Sequence, residues 1–253
     1  MHPFLDHPRP LAIAHRGGSL EGEENTLPAF AHAVRLGYSH LELDVHLTAD
    51  GHVVIHHDPT LDRVFRAPQA IADLTLRDLQ QIRSPGGAVV PLLSDLLEEH
   101  PFDCVNIEPK SAAVVAPLAT LIRKMGVIDR IGTGSFDPAR TRQLCESLGG
   151  RLCWSPALPG VLGLWLRGWH LPLRTGGFPM VQVPPHFHGI PVVTRRLVRA
   201  AHRLGIQVQV WTVDDAQTMH ALLDIGVDAL MTDRPSVLKQ VLQSRGEWRQ
   251  GHA

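Results

Sequence analysis

The chain has few cysteines, no excess of either charge and no long apolar run. Its three cysteines, Cys104, Cys145 and Cys153, lie among apolar neighbours and have no C-x-x-C spacing. An odd and dispersed set of this kind excludes a disulfide framework and a cysteine-based zinc site. We interpret the cysteines as buried thiols of a protein in a reducing compartment.

Positive and negative charges nearly cancel, with 24 Lys and Arg against 25 Asp and Glu. The sequence has neither a basic tail nor an acidic run. Because proteins that bind nucleic acid usually concentrate basic residues on one face, we expect no nucleic-acid partner.

No segment has the pattern of a membrane anchor or a secretion signal. The N-terminal sequence MHPFLDHPRPLAIAHRGG lacks a basic region followed by an apolar run of about 7–15 residues, which predicts a cytoplasmic protein. The apolar segment 157–171 is shorter than the ~20 residues needed to span a bilayer, and prolines, glycines and an arginine interrupt it.

Short β-rich runs alternate with helix-period segments along the chain, which is typical of a parallel sheet with crossover helices. The predicted strands lie near Leu11–His15, His40–Val45, Cys104–Glu108, Ile131–Ser135, Arg151–Ser155, Met180–Val183, Val208–Val213 and Ala229–Thr232. Eight such units predict an α/β fold, a TIM (β/α)₈ barrel. We expect one domain over residues 1–253, with its core at about residues 11–243.

One stretch departs from the eightfold repeat. After the second strand, Asp50-Gly51 predicts a turn into another short strand. Residues 59–91 then form an irregular excursion before a predicted helix at Leu92–His100. We interpret this stretch as a small insertion after strand 2, on the active face of the barrel.

Two carboxylates mark the end of the second strand. Glu42 and Asp44 are two residues apart, so their side chains point to the same side of the strand. A cation between them would remove their repulsion, and oxygen ligands suit Mg²⁺ or Ca²⁺. Glu108, at the end of the next strand, is placed to be a third ligand.

An isolated E-x-D motif is more often a solvated strand edge or part of an ion pair. Here histidine, arginine and lysine residues follow equivalent strands, and barrel enzymes carry their catalytic groups at these carboxyl ends. The convergence of these residue types favours a functional site over an ion pair.

The strand-end residues belong to a longer ordered set of motifs. They are His15-Arg16-Gly17, Glu24-Asn25-Thr26, Glu42-Leu43-Asp44, Thr48-x-Asp50-Gly51, Val54-Ile55-His56-His57-Asp58, Glu108-x-Lys110, Ser135-Phe136, Trp211-Thr212-Val213 and Thr232-Asp233. In this order they resemble the glycerophosphodiester phosphodiesterase family, from about Leu11 to Leu238. His-Arg-Gly alone would be a weak signal, whereas the ordered set is specific.

The resemblance implies a metal-dependent enzyme with a role for each matching residue. It implies Glu42, Asp44 and Glu108 as ligands of one Mg²⁺ or Ca²⁺ ion, His15 and His57 as the general acid–base pair, and Arg16 and Lys110 as phosphate-binding residues. Chemistry supports these roles, because cations neutralise the non-bridging oxygens of a phosphodiester. Imidazole titrates near neutral pH and can both accept and donate the proton.

Several neighbouring residues have two interpretations. Glu24 and Asn25 could orient Arg16, or they could cap the helix that follows Thr26. Trp211 could provide an apolar wall for the glycerol group or fill the barrel mouth. Three further residues are interpreted as structural: His56 as a buried residue opposite His57, His46 as a surface residue, and Asp214 as a helix cap.

Three functions are compatible with this site. The first is hydrolysis of glycerophosphodiesters to sn-glycerol 3-phosphate and an alcohol. The second is phospholipase D action on lysophospholipids or sphingolipids, which needs the same residues. The third, a non-catalytic barrel that binds phosphodiesters, should have lost a metal carboxylate or a histidine, and none is lost. The nucleophile, water or a substrate hydroxyl, and the order in which the histidines act stay open.

An amphipathic stripe in the apolar segment allows a membrane contact. Such a stripe could touch a bilayer surface and present lysophospholipids, but interfacial helices usually carry several Lys or Arg. We therefore expect the helix within residues 158–171 to bury its stripe against the barrel. The stripe consists of Leu158, Leu162, Trp165, Leu166 and Trp169.

Overall fold

Eight parallel strands form a nearly closed barrel in the computed structural model, which describes residues 2–173 and 175–249. In the order β6-β5-β4-β2-β1-β11-β10-β7, each strand is hydrogen-bonded to the next, which confirms the predicted TIM barrel. All strands, numbered along the chain, are β1 Leu11–His15, β2 His40–Leu47, β3 Val53–Ile55, β4 Cys104–Pro109, β5 Ile131–Thr133, β6 Cys153–Trp154, β7 Met180–Val183, β8 His186–Phe187, β9 Ile190–Pro191, β10 Gln207–Val210 and β11 Ala229–Thr232.

Helices connect successive barrel strands. Thr26 and Asp137 cap α1 and α6 by accepting hydrogen bonds from the backbone N of Ala29 and Ala139, and a proline follows within the first helical turn of each. The α-helices are α1 Leu27–Arg35, α2 Asp62–Phe65, α3 Leu76–Leu79, α4 Leu93–Glu99, α5 Ala112–Met125, α6 Pro138–Ser147, α7 Leu158–Arg167, α8 Arg195–His202, α9 Ala216–Ile225 and α10 Pro235–Ser244.

Alternation along the strands separates an outer core from the barrel interior. On β2, Leu41 and Leu43 belong to the apolar core shared with the helices, whereas Glu42 and Asp44 lie outside that core. Since successive side chains point to opposite sides of a strand, the two carboxylates face the barrel interior. At the amino-terminal end of the strands, Phe4 packs in a small apolar cluster and contacts Gly132, where a Cβ atom would lie 2.6 Å from the ring.

Polar side chains close the seam between β6 and β7, which are not paired. Gln182 on β7 donates its backbone N–H to Ser155 Oγ at 2.8 Å, directly after β6. Its side-chain amide donates to Asn106 Oδ1 at 2.9 Å and to Gln209 Oε1 at 3.0 Å, inside the barrel. A layer of side-chain amides therefore joins β4, β7 and β10.

The predicted insertion after β2 is present. Strand β3 pairs antiparallel with β2, and residues 59–91 contain the short helices α2 and α3. Their apolar side chains form a separate small core, made of Val54, Leu61, Phe65, Ile71, Leu79 and Val90. The insertion extends from the carboxyl end of β2 and so lies beside the barrel mouth.

Two predictions about individual elements are wrong. Helix α7 buries Leu164, while Leu158, Leu162 and Trp169 of the expected buried stripe are 56%, 50% and 52% exposed. His46 is buried and not on the surface, because β2 continues to Leu47 instead of ending at Val45. The hairpin of β8 and β9 was not predicted.

No helix in the described part of the chain is long and apolar enough to cross a membrane.

The amide layer generates a stability prediction. Gln182→Leu should lower the free energy of unfolding by about 1–3 kcal/mol, because Asn106 Oδ1 and Gln209 Oε1 lose their shared donor inside the barrel. Urea denaturation followed by circular dichroism measures this change. The same substitution at exposed Gln81 should have little effect. Equal stability of the two variants would show that the amide layer contributes nothing.

Candidate active site

The turn after β1 brings two of the predicted site residues to the barrel mouth. His15 ends β1, and Arg16 follows with φ of 53°, an uncommon value for a residue with a side chain. Gly18 has φ of 102°, and a Cβ atom there would lie 2.7 Å from the Pro235 ring. The glycine therefore lets the turn pack closely against α10. The backbone N–H of Arg16 also donates to Glu42 Oε2 at 3.1 Å.

Three carboxylates predicted as metal ligands lie at the ends of β2 and β4. The strand register places Asp44 opposite Glu108, with Glu42 two residues before Asp44. Glu42 and Asp44 are 4% and 1% exposed, so their charges are largely removed from water. Lys110 Nζ lies 2.9 Å from both Asp44 Oδ1 and Glu108 Oε2 and neutralises part of this charge.

Arg16, Glu24 and Asn25 also converge on this group. Arg16 Nε lies 3.2 Å from Asp44 Oδ2, and Arg16 Nη1 donates to Glu24 Oε1 at 3.2 Å. Asn25, with φ of 57°, donates its side-chain N–H to Asp44 Oδ2 at 3.0 Å. Helix capping at this point is performed by Thr26, so Glu24 and Asn25 contact site residues instead.

His15 is held by a carboxylate at the end of β11. Its Nδ1 lies 2.7 Å from Asp233 Oδ1, and its Nε2 lies 3.7 Å from Glu42 Oε2. An ionised carboxylate can only accept, so Nδ1 carries the proton and Nε2 faces the site. Asp214 accepts hydrogen bonds from Thr232 Oγ1 and the backbone N of Asp233.

The contacts of Asp214 correct its predicted role. Helix α9 is capped by Asp215, whose side chain accepts from Thr218 N. Asp214 lies one residue too early for that role and instead fixes the segment that carries Asp233.

His57 is held in the same way from the insertion side. Its Nδ1 lies 2.6 Å from Asp58 Oδ1, and Asp58 Oδ2 accepts from Arg63 Nε at 2.6 Å. Arg63 also donates to both carboxylate oxygens of Glu24, which links His57 to Arg16. Buried His46 lies with Nε2 at 3.1 Å from the backbone O of His57.

Electrostatics at the site follow from burial. Burial raises the pKa of Glu42 to about 7, and Asp44 and Glu108 act in the same direction, against His15 and Arg16. Burial acts to lower the pKa of His15, but the charge of Glu42 and the hydrogen bond to Asp233 outweigh it and raise that pKa. Burial would also raise the pKa of Asp44, but Lys110 and Arg16 lower it.

Two observations support a divalent cation at this group. Ion pairs connect six carboxylates with only three permanently charged cations, Arg16, Arg63 and Lys110. Asn25 Oδ1 is buried and accepts no hydrogen bond from a described residue. Carboxylate and amide oxygens are the ligands that Mg²⁺ and Ca²⁺ prefer. The excess negative charge and the unpaired oxygen are both consistent with a bound cation.

Another group of possible ligands lies at the opposite end of the barrel. Potential ligand atoms of His7, His40 and Cys104 are within 4.8 Å of one another. Both ring nitrogens of His40 already have partners, Ser39 Oγ at 3.1 Å and the backbone O of Phe4 at 3.0 Å. His40 therefore already uses both ring nitrogens in hydrogen bonds within the protein, at the amino-terminal end of the barrel.

Aromatic side chains border the mouth on the side of β5 and β10. Trp211 follows β10, and its ring meets Phe136 edge to face with centroids 5.5 Å apart. Phe136 is 75% exposed. The predicted wall residue therefore has an exposed aromatic partner, which the sequence interpretation did not assign.

The sequence interpretation also left Asp58, Arg63 and Asp233 without roles. Asp58 and Asp233 belong to the ordered motifs, and Asp58 directly follows His57, so their places in the motifs were a usable signal. Arg63 belongs to the insertion, and nothing in its sequence context indicates contacts with Glu24 and Asp58.

Carboxylates, histidines and basic residues at the carboxyl ends of parallel barrel strands are the arrangement of a barrel enzyme. A model of the glycerophosphoryl diester phosphodiesterase family matches residues 15–140 and 170–237. The chain therefore belongs to this family of phosphoric diester hydrolases. The matched residues 15–140 include nine of the ten predicted site residues, and the tenth, Trp211, lies in the second matched segment.

Named relatives agree with the family assignment. The chain is 38% identical over 252 residues to a Mycobacterium tuberculosis protein named probable glycerophosphodiester phosphodiesterase 2, covering 97% of this chain and 95% of that protein. It is 27% identical to the human lysophospholipase D GDPD1, covering 92% and 86%. A solved structure from Silicibacter pomeroyi, assigned to the glycerophosphoryl diester phosphodiesterases, superposes with a TM-score of 0.80 at 24% identity, covering 96% and 97%, and shares the fold.

The contact between His15 and Asp233 can be tested by titration. Asp233→Asn removes the negative charge that stabilises the imidazolium, so the pKa of His15 should fall and the ring should lose its proton at lower pH. NMR titration of isotopically labelled histidine, assigned with His15→Ala, measures this shift. Asp137→Asn, at the cap of α6, should leave the titration unchanged. An unaltered His15 titration in Asp233→Asn would refute the coupling.

Proposed function

We propose that the chain is a metal-dependent hydrolase that cleaves glycerophosphodiesters to sn-glycerol 3-phosphate and an alcohol. The observation that carries this proposal is the connected group of His15, Glu42, Asp44, Glu108 and Lys110 at the barrel mouth. It combines acid–base groups, oxygen ligands and cations within one cluster. Membership of the phosphodiesterase family supports the same reaction.

His15 and His57 act as the general acid–base pair in this proposal. Each imidazole has Nδ1 next to a carboxylate, Asp233 for His15 and Asp58 for His57, at 2.7 and 2.6 Å. This arrangement fixes the tautomer and leaves Nε2 of each ring for proton transfer. One Nε2 accepts the proton of the attacking water or of the substrate's own hydroxyl, and the other protonates the departing alkoxide oxygen. Attack by the substrate hydroxyl forms a cyclic phosphodiester, which water then opens to give glycerol 3-phosphate.

Arg16 and Lys110 bind the phosphate group. Lys110 is protonated over the working pH range because Asp44 and Glu108 raise its pKa against the effect of burial. Arg16 is held in place by Asp44 and Glu24, and Glu24 is held in turn by Arg63. Both cations would neutralise the non-bridging oxygens as negative charge increases in the transition state.

One divalent cation, Mg²⁺ or Ca²⁺, completes the site. Glu42, Asp44 and Glu108 would bind it, and Asn25 Oδ1, which accepts no hydrogen bond from a described residue, is a further oxygen on a side chain that contacts Asp44. When bound, such an ion supplies charge stabilisation to the phosphodiester. It would also relieve the repulsion from Asp44 and Glu108, which adds to the effect of burial in raising the pKa of Glu42.

Phospholipase D action on lysophospholipids is a second candidate. Trp211 and Phe136 provide an apolar edge beside the mouth, and a relative at 27% identity is named a lysophospholipase D. An acyl chain could lie along both aromatic side chains of this edge. A small glycerophosphodiester would reach only Trp211 of the two. Both substrates would use the same catalytic residues and would differ in their contacts with the aromatic edge formed by Trp211 and Phe136.

We further propose that residues 1–253 act as one catalytic domain in the cytoplasm. The first barrel strand, which begins at Leu11, pairs with the last, which ends at Thr232, so the two outermost strands of the chain belong to the same sheet. All three cysteines are free thiols, as expected in a reducing compartment.

An assay with glycerophosphocholine and glycerophosphoethanolamine tests the main proposal. Glycerol 3-phosphate should be released with Mg²⁺ or Ca²⁺ and not with EDTA. His15→Ala and His57→Ala should each lower kcat by about 10²–10⁴-fold, because each removes one proton-transfer group. Glu42→Ala should abolish the metal-dependent rate. His52→Ala, an exposed histidine outside the site, should behave as wild type. Full activity in His15→Ala or in EDTA would contradict the proposal.

The aromatic edge is tested by comparing two substrates. Phe136→Ala should lower kcat/KM for lysophosphatidylcholine by roughly 10- to 150-fold relative to glycerophosphocholine, because fully burying a phenyl ring contributes ~1.5–3 kcal/mol. Phe102→Ala, 78% exposed in the loop before β4 at the other end of the barrel, should change neither value. An unchanged ratio in Phe136→Ala would exclude the edge as an acyl-chain site.

A further inference from the structure

Helix α7 and the residues directly after it present apolar side chains to solvent. Leu158, Leu162, Trp165 and Trp169 recur at helical spacing, and three of them are at least half exposed. The rings of Trp165 and Trp169 are 5.8 Å apart. Single exposed apolar residues are common on protein surfaces, but a contiguous stripe of them usually marks a binding site.

The hairpin of β8 and β9 extends this apolar surface. Phe187 and Ile190 are 44% and 57% exposed, and Trp165 Nε1 donates to the backbone O of Pro191 at 3.3 Å. We call the surface formed by α7 and the hairpin the aromatic face, defined by Leu158, Leu162, Trp165, Trp169, Phe187 and Ile190. Both α7 and the hairpin begin at the carboxyl ends of barrel strands, β6 and β7, so the aromatic face begins beside the mouth and continues along α7 away from it.

Positive charge surrounds the aromatic face, and negative charge is missing from this part of the sequence. Between Glu146 and Asp214 the chain has seven arginines and no Asp or Glu. Helix α8 carries exposed Arg195, Arg196 and Arg199, none of which forms an ion pair with a carboxylate in the described residues. The Arg196 guanidinium stacks over the Trp169 ring, 4.0 Å from its centroid.

A basic cavity lies at the carboxyl end of α7. It has a volume of about 380 Å³ and is lined by Arg167, His170, Leu171, Pro172, Leu173 and Arg203. Guanidinium groups beside apolar side chains suit an anionic headgroup whose hydrocarbon part lies next to it. One of its lining residues, His170, directly follows Trp169 in the chain.

We propose that the aromatic face binds the surface of an anionic phospholipid bilayer. Tryptophan side chains favour the headgroup level of a bilayer, and arginines near an anionic surface each add about 1 kcal/mol of attraction. The basic side chains that interfacial helices need are supplied by α8 instead of α7 itself. A second copy of the chain is a poor occupant, because two such arginine-rich surfaces would repel each other.

Membrane binding of this kind is separate from turnover at the mouth. It goes beyond the proposed hydrolysis and does not depend on it, because binding is measured without turnover. A failure of the phosphodiesterase assay would leave this proposal intact, and the reverse also holds.

Vesicle co-sedimentation tests the proposal with the full chain. The protein should sediment with vesicles of phosphatidylcholine and phosphatidylglycerol at low salt, and should remain in the supernatant with pure phosphatidylcholine or at high salt. The double variant Arg195→Gln/Arg199→Gln should bind roughly 30-fold more weakly, at about 1 kcal/mol for each arginine. Trp169→Ala should also weaken binding.

Matched controls separate binding from folding. Arg77→Gln/Arg142→Gln removes two exposed arginines elsewhere and should bind like the wild type, as should Phe102→Ala. All variants should keep the wild-type melting temperature and the wild-type rate on glycerophosphocholine. Protein that stays in the supernatant with anionic vesicles overturns the proposal. Equal binding to neutral vesicles, or dimerisation lost in Trp169→Ala without vesicle binding, also overturns it.

Discussion

The concentration of negative charge inside the barrel mouth is the constraint on which the rest of the site depends. Glu42 and Asp44 are almost fully buried, and Glu108 lies beside them through the strand register. Charges removed from water must be paired, or they protonate instead. Lys110 and Arg16 pair with Asp44, whereas burial raises the pKa of Glu42 to about 7.

The same charges organise the loops around the mouth. Arg16, Glu24, Arg63, Asp58 and His57 form a chain of ion pairs that joins the turn after β1 to the insertion after β2. A loop that supplies a pairing partner also gains a fixed position, because a charge-assisted hydrogen bond is directional. The insertion therefore contributes to the arrangement of the site and does more than cover the barrel.

A different physical pattern governs the surface beside the mouth. There Arg195, Arg196 and Arg199 form no ion pair with a described carboxylate, and their helix packs beside exposed leucine and tryptophan side chains. Periodicity alone predicted a buried stripe on α7, because a stripe of this kind normally faces a core. The outer side of α7 has no element packed over Leu158, Leu162 and Trp169 in the described chain, so the stripe faces solvent. Apolar periodicity shows that one face of a helix is apolar, but it does not show whether another part of the protein covers that face.

Sequence by itself determined the barrel, the insertion and the set of residues at the strand ends. These features depend on local alternation, turn residues and motif order, all of which are written along the chain. Tertiary structure decided which charges pair: Asp233 with His15, Arg63 with Glu24, and Lys110 with both Asp44 and Glu108. It also decided that Asp214 fixes Asp233 and that His46 is buried. Pairing needs distances between segments far apart in the chain, and no local pattern contains them.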